Sequence, residues 1–126
     1  MDTSNPLEVR ELNHVALHVR DLAASEHFYG ETLGLPTLPR PDFNFPGAWF
    51  ALGSQELHLI VDERAEPQRT VHIALRVDDA LAAHALLVSR GVTAASPPAP
   101  RPDGAIQVFL KDPDGHLIEI MSPPAV

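Results

Sequence analysis

The sequence predicts an α+β fold built from two copies of one unit, in which a strand and a helix are followed by three more strands. The first observation is a repeat: His14-Val-Ala-Leu-His-Val-Arg-Asp aligns without a gap with His72-Ile-Ala-Leu-Arg-Val-Asp-Asp, at an offset of 58 from position 14 to position 72. The second is that both segments alternate apolar and polar residues, and that a helical pattern follows each. One domain over 1–126 is therefore expected, with modules at 12–61 and 70–121 and a linker at 62–69.

The first strand of the first module separates an apolar face from a polar face. Its period of two places Val15, Leu17 and Val19 on one side and His14, Ala16 and His18 on the other. Asp21 is expected to cap a helix that ends near Leu33, before Gly34. The buried stripe of that helix is predicted to be Leu22, Phe28, Tyr29 and Leu33.

Two further strands of the first module are predicted at 48–52 and 56–61. A proline-rich connection at 36–46 precedes them, and Gly53-Ser54 joins them as a hairpin. Each unit is expected to contain one more strand before this hairpin, and that strand has a weak pattern in both copies.

The second module repeats the order of elements. A strand at 70–77 is followed by a helix from Ala80 to about Arg90, capped by Asp79 and ended by Gly91. The inward side of this helix is predicted to be Leu81, Ala85 and Val88. After a short extended piece at 92–94, the prolines make 96–104 a loop, and strands at 106–110 and 116–121 close the module around the turn Asp112-Pro-Asp-Gly115.

Composition excludes several classes of function. The absence of cysteine rules out disulfides, a thiolate nucleophile and a cysteine-built zinc site. A net charge of −8 without a basic cluster argues against nucleic-acid binding. No apolar run has the length of a membrane span, and the first ten residues are too polar for a signal peptide. The expectation is a cytoplasmic enzyme or binding protein with no nucleic-acid and no membrane partner.

Four positions of the repeat carry side chains that can bind a metal ion. His14 and His72 occupy the same point of the first strand in each module, and His58 aligns with Glu119 in the last strand, at an offset of 61. If the two sheets curl toward each other, these four side chains meet in a concave site. Imidazole and carboxylate together suit a divalent ion such as Zn, Ni, Fe, Co or Mn. Glu56 shares the face of His58, so a register slip of two residues would make Glu56 the ligand instead.

These segments resemble the vicinal oxygen chelate superfamily, which includes glyoxalase I, extradiol dioxygenases, fosfomycin-resistance enzymes, methylmalonyl-CoA epimerase and bleomycin-resistance proteins. The resemblance covers Leu12 to Ser122 and rests on the two repeat segments, on Phe28-Tyr-Gly-Glu-Thr-Leu-Gly-Leu, and on Asp112-Pro-Asp-Gly-His-Leu-Ile-Glu. It implies paired βαβββ modules whose mixed sheets form a cup around a metal ion, commonly in homodimers. His14, His72 and Glu119 match the family's ligands, whereas the fourth position, usually Glu or Gln in glyoxalases, is His58 here.

The resemblance implies a glyoxalase-type lyase or isomerase acting on a small substrate with two vicinal oxygens. The metal ion would act as a Lewis acid, and Glu119 or Glu56 would move the proton. Arg76 could steer an anionic substrate, and Trp49 or Phe45 could form an apolar wall. Two alternatives remain: an Fe(II) extradiol-type dioxygenase that uses His14, His72 and Glu119, and a non-catalytic protein that sequesters a small drug-like molecule.

Overall fold

The structure is a computed structural model that describes residues 6–67 and 71–124. It contains two four-stranded sheets, each with a helical connection, and the predicted two-module α+β fold is confirmed. Thr70 and residues 68–69 of the predicted linker lie outside the described residues. Within the described ranges, no helix is long and apolar enough to cross a membrane. The cytoplasmic location remains a prediction.

The two sheets have the same topology. Sheet A contains the strands β1 (His14–Val19), β2 (Thr37–Leu38), β3 (Gly47–Leu52) and β4 (Gln55–Val61), in the order β1-β4-β3-β2. Sheet B contains the strands β5 (His72–Arg76), β6 (Ala99–Pro100), β7 (Ile106–Lys111) and β8 (Leu117–Ser122), in the order β5-β8-β7-β6. The pairs β1–β4 and β5–β8 are parallel and the other neighbours are antiparallel, so both sheets are mixed.

The helix of the first module has two parts. The α-helix α1 (Leu22–Glu26) begins after Asp21, whose side chain accepts a hydrogen bond from a first-turn backbone N–H at 3.1 Å. The chain continues as a π-helix over His27–Thr32, and Gly34, with φ at 76°, follows its end. The predicted stripe packs in the core as expected, Phe28 and Tyr29 fully and Leu22 and Leu33 in part.

The helix of the second module, α2 (Ala80–Ser89), is capped by Asp79 as predicted but presents a different side to the core. Ala80 and Leu87 are buried, whereas the predicted inward residues are exposed: Leu81, Ala85 and Val88. The prediction was wrong because α2 is apolar almost all round, so its sequence pattern does not show which side faces solvent. Packing against the sheet decides which side of α2 is buried, and the sequence of the helix alone carries no information about that packing.

The weak strand of the second module also lies elsewhere than expected. β6 falls at Ala99–Pro100, inside the segment predicted to be a loop, and pairs with β7 at the edge of sheet B. A proline is tolerated there because an edge strand leaves one row of backbone groups unpaired. The extended piece at 92–94 contributes an isolated bridge between Ala94 and Leu110.

The strand register supports the repeat residue by residue. His58 lies opposite Ala16 in sheet A, and Glu119 lies opposite Ala74 in sheet B. Each of these alanines is two residues after the histidine that begins its strand. His58 and Glu119 therefore occupy equivalent points of the two sheets, as the sequence alignment predicts.

The modules are joined by buried polar contacts at the turn between β7 and β8. The Tyr29 hydroxyl donates to Asp112 Oδ2 at 2.6 Å, and burial raises the pKa of Tyr29 well above its ordinary value, with Asp112 adding to the effect. Asp114 Oδ1 accepts from the backbone N–H and Nε of Arg20 at 2.8 and 3.0 Å. These contacts hold the helical segment of the first module against the closing hairpin of the second.

Candidate metal and substrate site

The first half-site lies on the polar face of sheet A and consists of His14, Trp49, Glu56 and His58. The His58 ring is stacked between two others, with centroid separations of 4.1 Å to His14 and 4.0 Å to Trp49. Its Nε2 lies 2.8 Å from Glu56 Oε1. The side chain of His58 is only 12% exposed, so its orientation is fixed by these neighbours. Three adjacent strands, β1, β4 and β3, supply the three rings.

The second half-site lies on the equivalent face of sheet B and consists of His72, Phe109 and Glu119. His72 Nε2 is 3.2 Å from Glu119 Oε1, and Phe109 contacts the His72 ring edge-on at 5.3 Å between centroids. Phe109 lies opposite Glu119 as Trp49 lies opposite His58, so the aromatic neighbour is also repeated. The Glu119 side chain is 7% exposed.

The four predicted metal ligands form two pairs in one chain and do not form one cluster. His14 and His58 belong to sheet A, and His72 and Glu119 belong to sheet B. Among residues 6–67 and 71–124, no group of three or more His, Asp or Glu side chains is arranged to hold a metal ion. A single chain therefore offers two incomplete sites.

The side chains of both half-sites nonetheless have the chemistry of a metal centre. Glu119 Oε2 is buried and has no hydrogen-bond partner among the described residues. A buried carboxylate oxygen without a donor is costly unless a ligand satisfies it. Imidazole nitrogens and a carboxylate oxygen are the donors that first-row divalent ions take in proteins. The donor types present thus fit a divalent ion.

The three predicted substrate-binding residues lie in two places, with Trp49 and Phe45 near the first half-site and Arg76 at a cleft between the modules. Trp49 stacks on His58, and Phe45 stacks on Phe43 at 5.3 Å in the connection before β3, with Phe43 reaching Trp49 at 6.1 Å. Phe45 thus extends the aromatic surface of the first half-site. Arg76 lies two positions beyond the level of Glu119 on β5 and lines a cleft of about 970 Å³ between the modules.

One charged residue beside the second half-site was missed by the sequence reasoning. Arg101, which follows β6, has its Nη1 at 3.9 Å from Glu119 Oε2. The prolines around it led to the prediction of a plain loop. A signal was present, since Pro39-Arg-Pro-Asp42 recurs as Pro100-Arg-Pro-Asp103.

The chain is similar to known proteins over nearly its whole length. The model of the glyoxalase/bleomycin resistance protein/dioxygenase superfamily matches residues 11–120. Glyoxylase I 4 of Arabidopsis thaliana is 33% identical, over 94% of this chain and 74% of that protein. Lactoylglutathione lyase of Escherichia coli O157:H7 is 30% identical, over 87% of this chain and 90% of that protein. The crystal structure of a glyoxalase family protein from Bacillus anthracis has a TM-score of 0.82 at 28% identity, and covers 91% of this chain and 96% of its own.

Proposed function

Because this chain belongs to the glyoxalase/bleomycin resistance protein/dioxygenase superfamily, we propose that it is a metal-dependent glyoxalase-like lyase or isomerase acting on a small substrate with two vicinal oxygens. The observation that carries the proposal is Glu119, whose buried Oε2 has no hydrogen-bond partner among the described residues while its Oε1 is beside His72. The similarity to the lactoylglutathione lyase of Escherichia coli O157:H7 supports the lyase class.

The proposal includes a homodimer, since one chain holds two incomplete sites. The first half-site of one protomer would face the second half-site of its partner, so that His14 and His58 meet His72 and Glu119 across the interface. A two-fold axis repeats the contact, which gives two complete sites per dimer. The arrangement is supported by the polar faces of β1 and β5, where His14, Ala16, His72 and Ala74 are all exposed in the single chain.

The chain's own residues have distinct roles in this proposal. A bound Zn, Ni, Fe, Co or Mn ion would supply Lewis-acid polarisation of the two substrate oxygens. Glu56, whose Oε1 lies 2.8 Å from His58 Nε2, is the second carboxylate of the site and would take a proton from the substrate carbon and return it. Glu119 is the alternative proton carrier. Trp49 and Phe45 provide the apolar wall, and Arg76 provides a positive charge at the cleft.

A metal titration tests the proposal directly. Trp49 is the only tryptophan of the chain and stacks on His58, so its fluorescence should change when an ion binds there. We expect one equivalent of a divalent ion per chain, and we expect His72→Ala to lose it while keeping the far-UV circular dichroism of the folded protein. Affinity should fall on acidification, because protons compete with the metal ion for the nitrogen atoms of its ligands.

The matched control is His27→Ala, which removes an exposed histidine that lies 3.0 Å from Glu31 on its own helical segment. This variant should bind the metal as the wild type does. A full equivalent of metal in His72→Ala would show that the site is misassigned. A protein that binds no metal but binds a planar drug would favour the sequestering alternative.

A second function, the Fe(II) extradiol-type dioxygenase, is favoured by the contacts of His58. Its Nε2 is already bonded to Glu56, so His14, His72 and Glu119 could form a two-histidine, one-carboxylate set with open positions for oxygen and substrate. Oxygen uptake by the Fe(II)-loaded protein with catechol would establish this function. Absence of uptake, with conversion of an α-ketoaldehyde–thiol adduct, would support the lyase.

A further inference from the structure

A four-residue segment occurs twice in the chain, once in each module, in the loop that leads to the third strand. Pro39-Arg-Pro-Asp42 and Pro100-Arg-Pro-Asp103 are identical and are separated by an offset of 61, from position 39 to position 100. The first follows β2, and the second begins in β6. The repeat therefore places one arginine at the equivalent point of each module.

In the second module this arginine is held rigidly. Arg101 Nε and Nη2 donate to the two carboxylate oxygens of Asp103 at 3.1 and 2.7 Å. The Arg101 backbone N–H donates to Ala105 O at 2.7 Å, and Gly104, with φ at 92°, closes the turn. Flanking prolines fix the backbone on both sides of the arginine. The guanidinium is thus preorganised, with little side-chain entropy left to lose on binding.

The third nitrogen of this guanidinium points to the unsatisfied oxygen of the half-site. Arg101 Nη1 lies 3.9 Å from Glu119 Oε2, which is too long for a hydrogen bond and leaves both atoms available to a ligand. The Arg101 side chain is 35% exposed, so a ligand can reach it. A group bound at Glu119 therefore lies within reach of a preorganised guanidinium that is paired with Asp103 and whose Nη1 makes no hydrogen bond to Glu119.

In the first module the equivalent arginine has a different environment. Arg40 donates from Nη2 to Phe45 O at 2.9 Å, and its guanidinium lies over the rings of Phe43 and Phe45 at 4.8 and 5.0 Å. Phe43 aligns with Gly104 at the same offset, so no ring of that position covers Arg101. One arginine stabilises its loop, and the other faces the site.

We propose that Arg101 is the anion-binding residue of the site and that the substrate carries a carboxylate beside its two vicinal oxygens. This inference rests on the proposed function, because the carboxylate is recognised next to a group held at Glu119. With a net charge of −8, the protein as a whole repels anions, so a local guanidinium is needed to select one. A charge-assisted hydrogen bond from Arg101 supplies that selection.

The test compares two hydroxamates that present the same pair of vicinal oxygens and differ only in the tail. Succinic monohydroxamate ends in a carboxylate, and butanohydroxamate ends in a methyl group. Calorimetric titration of the Zn²⁺-loaded protein should show tighter binding of the carboxylate probe, by about tenfold. Arg101→Gln should lose this preference without a change in the affinity for butanohydroxamate, and Arg101→Lys should keep part of it.

Lys111→Ala is the charge-matched control, because it removes an exposed cation of the same module, and it should keep the preference. Raising the ionic strength should reduce the preference in the wild type. Equal binding of the two probes by the wild type would overturn the anion-binding role alone, as would an equal loss for both probes in Arg101→Gln. If neither probe binds the Zn²⁺-loaded wild type, the proposed function fails and this inference fails with it.

Discussion

The two modules share one topology and one register, yet they use equivalent positions for different chemistry. In sheet A the residue opposite Ala16 is His58, whose ring is stacked between those of His14 and Trp49. In sheet B the same position is Glu119, which is buried beside an arginine. The first module places two imidazoles, Trp49 and Glu56 around this position, and the second places one imidazole, Phe109 and Arg101 around it. In the proposed dimer, a complete site would combine one half-site of each kind.

The helices of the two modules also differ in the contacts that they make with the opposite module. The helical segment of the first module is bonded to the closing turn of the second through Tyr29 and Asp112. The equivalent helix α2 faces the turn at Gly53 and Ser54 across the open cleft between the modules. The first contact is buried and polar, whereas the second leaves a cleft beside which Arg90 Nη1 donates a hydrogen bond to Thr32 O at 2.8 Å. We therefore expect the Asp112–Asp114 turn to contribute most to the stability of the contact between the modules.

Complementation between two defective variants should give the largest effect, and it tests whether one half-site of each kind is needed for metal binding. His14→Ala with His58→Ala disables the first half-site, and His72→Ala with Glu119→Gln disables the second. Each double variant alone should bind no metal. When the two are refolded together, random pairing makes about half of the dimers mixed, and each mixed dimer has one intact site, so about a quarter of the wild-type metal capacity should return. Native mass spectrometry of the refolded mixture measures it.

No recovery of metal in a mixture that contains mixed dimers would show that both half-sites must belong to the same chain. A monomer in solution that binds a full equivalent would lead to the same conclusion. Either result would remove the homodimer from the proposed function and leave the family assignment intact.

Removing the hydrogen bond between Tyr29 and Asp112 should produce the next largest effect. Tyr29→Phe leaves the buried Asp112 Oδ2 without its donor, so the free energy of unfolding should fall by about 1–3 kcal/mol. The advantage of the wild type should also depend on pH. Because the pKa of Tyr29 is raised in the folded state, the unfolded chain ionises first, and the advantage should shrink as the pH rises above about 10. Urea unfolding at neutral and alkaline pH measures both effects.

Ser89→Ala is the matched control on the second module's helix. Its hydroxyl donates to a carbonyl of its own helix on an exposed surface, so the change should stay within about 0.5 kcal/mol. An equal decrease in the free energy of unfolding for Tyr29→Phe and Ser89→Ala would contradict the expectation that the Asp112–Asp114 turn contributes most to the contact between the modules.

The sequence predicted the fold because its signals were local and repeated. Alternation set the faces of β1 and β5, and the aspartate caps and glycines set the helix ends. Where these signals were missing, prediction failed. α2 has no polar face to orient it, and β6 is a two-residue edge strand whose pairing depends on β7 and not on its own residues.

The sequence predicted which positions of the two sheets are equivalent, and it did not predict how the two half-sites assemble. The repeat aligned His14 with His72 and His58 with Glu119, and the register agrees with that alignment. No pattern within one chain can state whether two sheets face each other in the same molecule or across an interface. The different contacts of Arg101 and Arg40 also required coordinates, because the two arginines have the same neighbours in sequence.

The smallest expected effect is a difference between the aspartates of the two identical Pro-Arg-Pro-Asp segments. The hydrogen bond from Arg101 holds the pKa of Asp103 at about 2, helped by the N–H of Ala105, against an ordinary value of 3.8. The stabilisation is therefore present above about pH 3.8 and is lost as the pH falls toward 2. Asp103→Asn should destabilise the protein slightly at pH 7, by less than Tyr29→Phe does, with a difference from wild type that narrows on acidification.

Asp42→Asn makes the same change in the first module, where the described residues offer that carboxylate no hydrogen bond or ion pair, and it should have no measurable effect on unfolding by urea. Asp103→Asn should in addition weaken the carboxylate preference of the hydroxamate titration, because Arg101 loses the group that orients it. Different effects at matching positions of identical segments would mean that surrounding contacts assign the role of each arginine. Equal effects would mean that the segment acts through its own sequence, and the distinction between the two modules would not extend to their loops.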